Sequence, residues 1–290
     1  MIPYGRQDIT EADIEAIRSV LCSDFVTQGP AIEAFEAAMA NYCGARHAVA
    51  VSSATAALHI ACMALDLGPG DRLWTSPNTF VASSNVALYC GAEVDFIDID
   101  PVTYNMCLDT LEDRLQEAER DGKLPKIVMP VHFAGQSCDM SRFDGLKAKY
   151  GFRVIEDASH AVGGRYRGAA VGACDHSDIC VFSFHPVKII TTAEGGLATT
   201  NDDELAWRMA MLRSHGVTRD PERMVNESAG GWYYEQTALG YNYRMTDLQA
   251  ALGASQLTRL DKYIAARHVR REIYDTELAD LPLTLPHQPE

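Results

Sequence analysis

"SDICVFSFHPVKIITTAEGGLATT", residues 177–200, holds two apolar runs, 177–184 and 195–200, joined by a turn with one lysine. Both runs are short and rich in β-branched or aromatic residues, and both read as buried strands. Lys188 sits among small, aromatic and β-branched neighbours, and no other lysine occurs between Lys149 and Lys262. It is therefore not part of a solvated charge run. An amine held in partly apolar surroundings loses protons more easily and becomes a nucleophile for a carbonyl. Taken alone, the same residue also reads as a surface lysine laying its stem over apolar neighbours.

The pattern around this stretch repeats. Further strand candidates lie at 47–51, 71–75, 93–98, 126–131 and 153–156, with helical patterns at 10–22, 29–43, 54–67, 79–90, 108–119, 139–150 and 202–213. Continuous apolar strands separated by helices predict an α/β fold, a mostly parallel sheet with helices on both faces. The segment 216–245 interrupts the rhythm with Gly, Asn and Tyr, and its aromatic content predicts an ordered, functional loop. A single long helix is expected over 246–279, before the proline-punctuated "LPLTLPHQPE". These features divide the chain into a large domain, 1–245, and a segment 246–290.

Composition excludes several classes. A formal net charge of −15 over 290 residues and a pI near 5.0 argue against a nucleic-acid or anionic-membrane partner. No apolar run reaches the ~20 residues of a membrane span, and the start carries no signal-peptide pattern. Eight cysteines without a CxxC motif read as reduced, buried thiols of a cytoplasmic protein. Cys174, His176 and Cys180 match no zinc spacing, so no metal is expected. Neither G-x-G-x-x-G after a strand, nor a P-loop, nor G-x-S-x-G is present.

Two further features join Lys188. "VAVSSATAAL" (49–58) runs a strand into small hydroxyl residues at a helix start, where free N–H groups and the dipole suit a phosphate. "RVIEDASHA" (153–161) places Asp157 just past a buried strand, where doubly wound sheets bind ligands. Each could be an ordinary helix cap. Together with Lys188 they supply what pyridoxal phosphate (PLP) requires: a phosphate cradle, a Schiff-base lysine and a carboxylate for the ring nitrogen.

The stretches "SDFVTQGP" (23–30), "SSATAALHIA" (52–61), "NTFVASSN" (78–85), "VIEDASHAVGG" (154–164), "FSFHPVKIITTAEGG" (182–196), "LRSHG" (212–216) and "GYNYRMTDLQAALGASQL" (240–257) resemble the fold-type-I, PLP-dependent sugar aminotransferases of the DegT/StrS type. The resemblance runs over nearly the whole chain. It implies that Lys188 forms the Schiff base and Asp157 pairs with the pyridine nitrogen. Phe80 would stack on the ring and His160 lie near its hydroxyl. Ala54, Thr55 and Ser183 would hold the phosphate, and Asn242 would reach it from a neighbouring subunit, giving a homodimer with shared sites. Thr27 and Arg244 are candidate sugar contacts. His132, in "PVHFAG", either lines the sugar pocket or supports it from behind. Gly195 and Gly196 are expected to permit tight turns near the site. Family members are longer, so 246–290 would hold a long helix and only the start of a small C-terminal domain.

Within the family, the motifs most resemble aminotransferases of the pseudaminic-acid pathway. The implied reaction converts a UDP-linked 4-keto-6-deoxy-N-acetylhexosamine to UDP-4-amino-4,6-dideoxy-N-acetyl-β-L-altrosamine, with L-glutamate as donor and pyridoxamine phosphate as the intermediate cofactor form. Other nucleotide-sugar 3- or 4-aminotransferases are the alternative. Sugar 3-dehydratases of this family carry histidine in place of the lysine, and a regulator would have no need of all three cofactor groups.

Overall fold

The computed structural model describes residues 5–227 and 230–287, so the outer ends of both expected domains lie outside the described residues. Strands β1 (His47–Val51), β2 (Arg72–Thr75), β3 (Glu93–Phe96), β4 (Ile127–Met129) and β5 (Arg153–Asp157) are followed by a short ribbon, β6 (Arg165–Tyr166) with β7 (Ala169–Ala170). Then come β8 (Ile179–Ser183), β9 (Gly196–Thr200) and a second ribbon, β10 (Val217–Thr218) with β11 (Glu235–Gln236). The helices are α1 (Glu11–Leu21), α2 (Pro30–Cys43), α3 (Ala54–Ala64), α4 (Ala82–Tyr89), α5 (Leu108–Asp121), α6 (Met140–Tyr150), α7 (Asp203–Leu212), α8 (Asp247–Leu257) and α9 (Leu260–Glu277).

The seven strand candidates of the sequence form one sheet in the order β1-β9-β8-β5-β4-β2-β3. Neighbours are parallel except at β9, which runs antiparallel to both β1 and β8. Strand periodicity splits the core into layers. Ile155, Ile179 and Val181 face α3 and α7, among Leu58, Leu205 and Met209. On the other face, Cys180 and Phe182 meet Phe35 and Met39 of α2, and Val154 meets Phe143 and Leu115 of α6 and α5.

The turn that carries Lys188 is anchored at its base. The Phe184 carbonyl accepts the N–H of Thr192 at 3.0 Å and the Thr191 hydroxyl at 2.8 Å, and the Phe184 N–H donates to Gly195 at 3.0 Å. The Phe184 ring, fully buried, meets the edge of Phe35 with centroids 5.3 Å apart. Truncating such a buried aromatic costs about 3–5 kcal/mol, so the turn is fixed by the core.

Two expectations need correction. The helix expected over 246–279 is two helices, broken at Thr258 and Arg259. The Thr258 hydroxyl turns back on the Ser255 carbonyl at 2.7 Å, and Arg259 is drawn to the fully buried Asp13 of α1 at 2.6 Å. Ala250 and Leu260 join the core on the α2 face, so packing continues past residue 245, whereas most of α9 beyond Ile264 is exposed. The 240–244 stretch does have a place beside its own sheet: Val51 bridges Arg244, Ser214 bridges Asn242, and Ser52 N–H donates to the Tyr243 carbonyl at 2.7 Å. Finally, all eight cysteines are unpaired, but Cys22 is exposed rather than buried. No helix among the described residues is long and apolar enough to cross a membrane.

Candidate active site

Asp157 is the last residue of β5 and is 5% exposed. Its Oδ1 accepts the Ser159 N–H at 3.1 Å, and its Oδ2 accepts the Ser83 hydroxyl at 2.7 Å. Lys188 lies on the neighbouring turn after β8, half-buried. Loss of hydration lowers the pKa of its amine, and the negative charge of Asp157 opposes that shift. His160, one turn past Asp157, is exposed by surface area but crowded by neighbouring atoms. Partial desolvation and then the positive charge of Lys188 hold its imidazole below the ordinary value, against the pull of Asp157. The negative charge of Asp157 thus acts on both His160, three residues on, and Lys188, far from it in sequence.

A second group closes the site from the β1 side. Ser53 caps α3 by accepting the Ala56 N–H at 3.1 Å. The first N–H groups of a helix have no partner within it, so those of Ala54 and Thr55 remain at its mouth with the positive end of the dipole. Ser183, at the end of β8, is 8% exposed and pairs across the sheet with Gly196. A Cβ on Gly196 would overlap the Ala54 nitrogen and the Ser53 carbonyl. A Cβ on Gly195 would collide with Thr192 and lie 2.6 Å from Met245 Cε. Neither glycine has positive φ; the left-handed residue of this turn is Ala193, at φ 66°. The two glycines supply space rather than the expected turn conformation.

Phe80 is 75% exposed on the turn preceding α4, an uncovered aromatic ring two positions from Ala82, where the helix begins. Thr27 is exposed and Arg244 half-buried, and a single side chain joins their segments. Gln28 Nε2 donates to the carbonyls of Thr27, at 2.6 Å, and Met245, at 2.9 Å. Asn242 is exposed, and among the described residues its side chain has no hydrogen-bond partner. The carboxylate, lysine, hydroxyl and helix mouth fit PLP as a set: an anion site, an amine of lowered pKa and a buried acceptor with an oxygen available.

His132 resolves differently. Its ring is fully buried; Nδ1 accepts the Cys138 N–H at 3.1 Å, so Nε2 carries the proton shared with Glu156 at 2.7 Å. Glu156 also accepts the Ser177 hydroxyl. Glu156 precedes Asp157 on β5, so the two carboxylates point to opposite faces of the sheet. Of the two readings of His132, this geometry favours support from behind. Sequence reasoning missed Ser83 and Gln28, although both stand in stretches that it singled out.

A seven-stranded sheet with one reversed strand, and with a lysine, an aspartate and a helix mouth meeting at its strand ends, defines a fold-type-I PLP-dependent transferase. The chain belongs to the DegT/DnrJ/EryC1/StrS aminotransferase family, whose sequence profile matches residues 7–290; it is a PLP-dependent sugar aminotransferase. It is 42% identical over 261 residues to a GDP-perosamine synthase of Caulobacter vibrioides, covering 89% of this chain and 65% of that protein. It is 40% identical over 277 residues to a Campylobacter jejuni UDP-4-amino-4,6-dideoxy-N-acetyl-beta-L-altrosamine transaminase, covering 96% of this chain and 69% of that protein. Among solved structures, Helicobacter pylori PseC, an aminotransferase involved in the biosynthesis of pseudoaminic acid, superposes with a TM-score of 0.87 at 32% identity, over 97% of this chain and 71% of that one. The chain thus spans about two thirds of the length of these relatives.

Proposed function

We propose that the protein transfers an amino group to the C4 ketone of a UDP-linked 4-keto-6-deoxy-N-acetylhexosamine, with L-glutamate as the donor. The product would be UDP-4-amino-4,6-dideoxy-N-acetyl-β-L-altrosamine, feeding a pseudaminic acid or other surface glycan. The observation that carries the chemistry is that Asp157, opposite Val181 at the end of β5, adjoins the end of β8, from which the Lys188 turn leads, while Ser183 pairs with Gly196 against the mouth of α3. PLP, when bound, supplies an aldehyde to receive the amine and a ring to hold the electron pair released during transfer.

In this reading Lys188 holds the cofactor and, once freed, moves a proton with Nζ as base and then as acid; burial lowers its pKa and so eases the loss of that proton. Asp157 holds the proton on the ring nitrogen. Ala54 and Thr55 N–H, with the Ser183 hydroxyl, bind the phosphate. Phe80 lies over the ring and His160 near its hydroxyl. Asn242, whose side chain has no hydrogen-bond partner among the described residues, reaches the phosphate of a second subunit in a homodimer. Thr27 and Arg244, drawn together by Gln28, contact the sugar nucleotide.

A second reading concerns the sugar alone. The 42% identity to a GDP-perosamine synthase stands beside 40% to the UDP-sugar enzyme, so a GDP-linked keto sugar is the competing substrate. The test is to load the protein with PLP, add glutamate and follow loss of the cofactor's aldehyde absorbance. A panel of UDP-, GDP- and dTDP-linked keto sugars is then supplied, and the amino sugar formed is identified. Borohydride reduction and peptide mapping should label Lys188. A label on another lysine, or turnover of only GDP- or dTDP-linked sugars, would reject the corresponding part of the proposal.

A further inference from the structure

We propose that Ser83, backed by Thr79, is a positioning residue for Asp157: its hydroxyl holds the carboxylate so that an oxygen lone pair stays aimed at the cofactor ring nitrogen. The inference rests on the reading of Asp157 as the partner of that nitrogen, and it adds two residues that reading does not use.

Ser83 is fully buried, and its Oγ lies 2.7 Å from Asp157 Oδ2. That is a well-formed O–H···O distance, with the carboxylate oxygen accepting. A hydroxyl has one proton to give. The Phe80 carbonyl is farther away at 3.3 Å, and the Thr79 hydroxyl can donate where the Asp157 carboxylate can only accept, so the proton goes to Asp157. The contact between Thr79 Oγ1 and Ser83 Oγ, 2.8 Å, then has only one polarity, with Thr79 donating. The relay runs from Thr79 to Ser83 to Asp157.

This relay fixes two things together. The χ2 torsion of an aspartate is broad, so its carboxylate plane is set by its partners rather than by its rotamer. Ser159 N–H holds Oδ1 and Ser83 holds Oδ2, one donor on each oxygen. Each oxygen therefore keeps a second lone pair in a defined direction. Thr79 and Ser83 also flank Phe80, and Ser83 N–H donates to the Phe80 carbonyl at 3.2 Å. The turn that presents the aromatic ring and the carboxylate at the end of β5 are thereby held in register. Removing the Ser83 hydroxyl frees the carboxylate plane and leaves Oδ2 buried without its donor.

The experiment compares wild type with Ser83→Ala, Ser83→Thr and Thr79→Val. Each is measured without cofactor by thermal melting, then with PLP by equilibrium dialysis and by the pH midpoint of the bound cofactor's visible absorbance. Ser83→Ala is expected to stay folded but melt below wild type, to bind PLP roughly five- to twentyfold more weakly and to shift the midpoint. Ser83→Thr restores both values, and Thr79→Val shifts the midpoint in the same direction by less. Wild-type affinity with an unmoved midpoint in Ser83→Ala overturns the proposal, as does equal loss in Ser83→Ala and Ser83→Thr, which would assign the effect to packing. If Ser83→Ala fails to fold, Thr79→Val decides: an unmoved midpoint overturns the proposal and a moved one supports it. Failure of wild type itself to bind PLP removes the cofactor reading first, an outcome distinct from all of these.

Discussion

Gly196 lies directly against the amide nitrogen of Ala54, with no room between strand β9 and the mouth of α3 for a methyl group. The atoms in the way are backbone, so they yield only if the helix moves. Gly196→Ala should therefore weaken PLP binding by roughly tenfold or more, with a stability loss of about 1–3 kcal/mol from overpacking. Cofactor titration and chemical denaturation measure the two effects separately. Wild-type PLP affinity in this variant would show that the helix mouth is not where the phosphate binds.

Asp157→Asn should fold and keep its bond to Ser159 N–H. An amide cannot stabilise a ring-nitrogen proton as a carboxylate does, and a charge-assisted bond of a few kcal/mol is lost. The expected loss in kcat is roughly a hundredfold or more. Turnover near that of wild type would reduce Asp157 to a cap of the turn after β5.

The clasp between α1 and α8 predicts an acid limb to stability. Asp13 is fully buried; burial raises its pKa, but bonds from Arg259, Ser255 and Thr10 outweigh it and hold it at about 2. A depressed carboxylate contributes its stability above the unfolded value and loses it as pH falls through the folded one. The contribution, about 2 kcal/mol at neutral pH, should disappear between roughly pH 4 and pH 2. Asp13→Asn should lower Tm at pH 7 and flatten this limb in a series of melts; an unchanged limb would remove the assignment.

His132→Phe separates the two readings of that residue. If the ring only supports the sheet, the variant leaves Glu156 buried beside Ser177 without its main donor and destabilises by about 3 kcal/mol or more. The fraction that remains folded should retain its KM for the keto sugar. A raised KM with unchanged stability would place the imidazole in the sugar pocket instead.

The shared site is tested by mixing inactive subunits. Lys188→Ala and Asn242→Ala homodimers should each be nearly inactive at limiting cofactor. A mixed dimer contains one subunit that keeps Lys188 and receives an intact Asn242 from its neighbour. Random pairing with independent sites should restore roughly a quarter of wild-type activity. No recovery, with mixed dimers verified by mass spectrometry, would mean that Asn242 serves its own chain.

Much of this was legible before the structure. β8 announces itself as the apolar run "ICVF", β5 as a Val154–Ile155 pair between charged residues, and Lys188 stands out because no other lysine is near it in sequence. The break between α8 and α9 was not legible, because "LTRLDKY" contains no glycine or proline. That break is set by Arg259 reaching Asp13, far away in the chain. Ser83 and Thr79 were hidden for a different reason: serine and threonine near a helix start usually serve only as caps. The position of His132 left a usable signal. Adjacent Glu156 and Asp157 on a strand must face opposite ways, so a partner of one cannot share the face of the other.

The reversed strand β9 has a consequence for how the chain reaches this structure. Apart from the single bridge of Val51 to Arg244, β1 pairs among the described residues with β9 alone, with His47 opposite Thr200. Contacts so distant in sequence form slowly, because the intervening loop must be closed before any pairing energy is gained. On the ribosome, β1 and the start of α3 emerge early and have no ladder to join until Thr200 has been made. An apolar edge, "HAVAV", is exposed for that interval, and exposed edges of this kind are where nascent chains aggregate. Slow synthesis or chaperone capture before residue 200 should therefore govern the yield of folded protein more than any step after it.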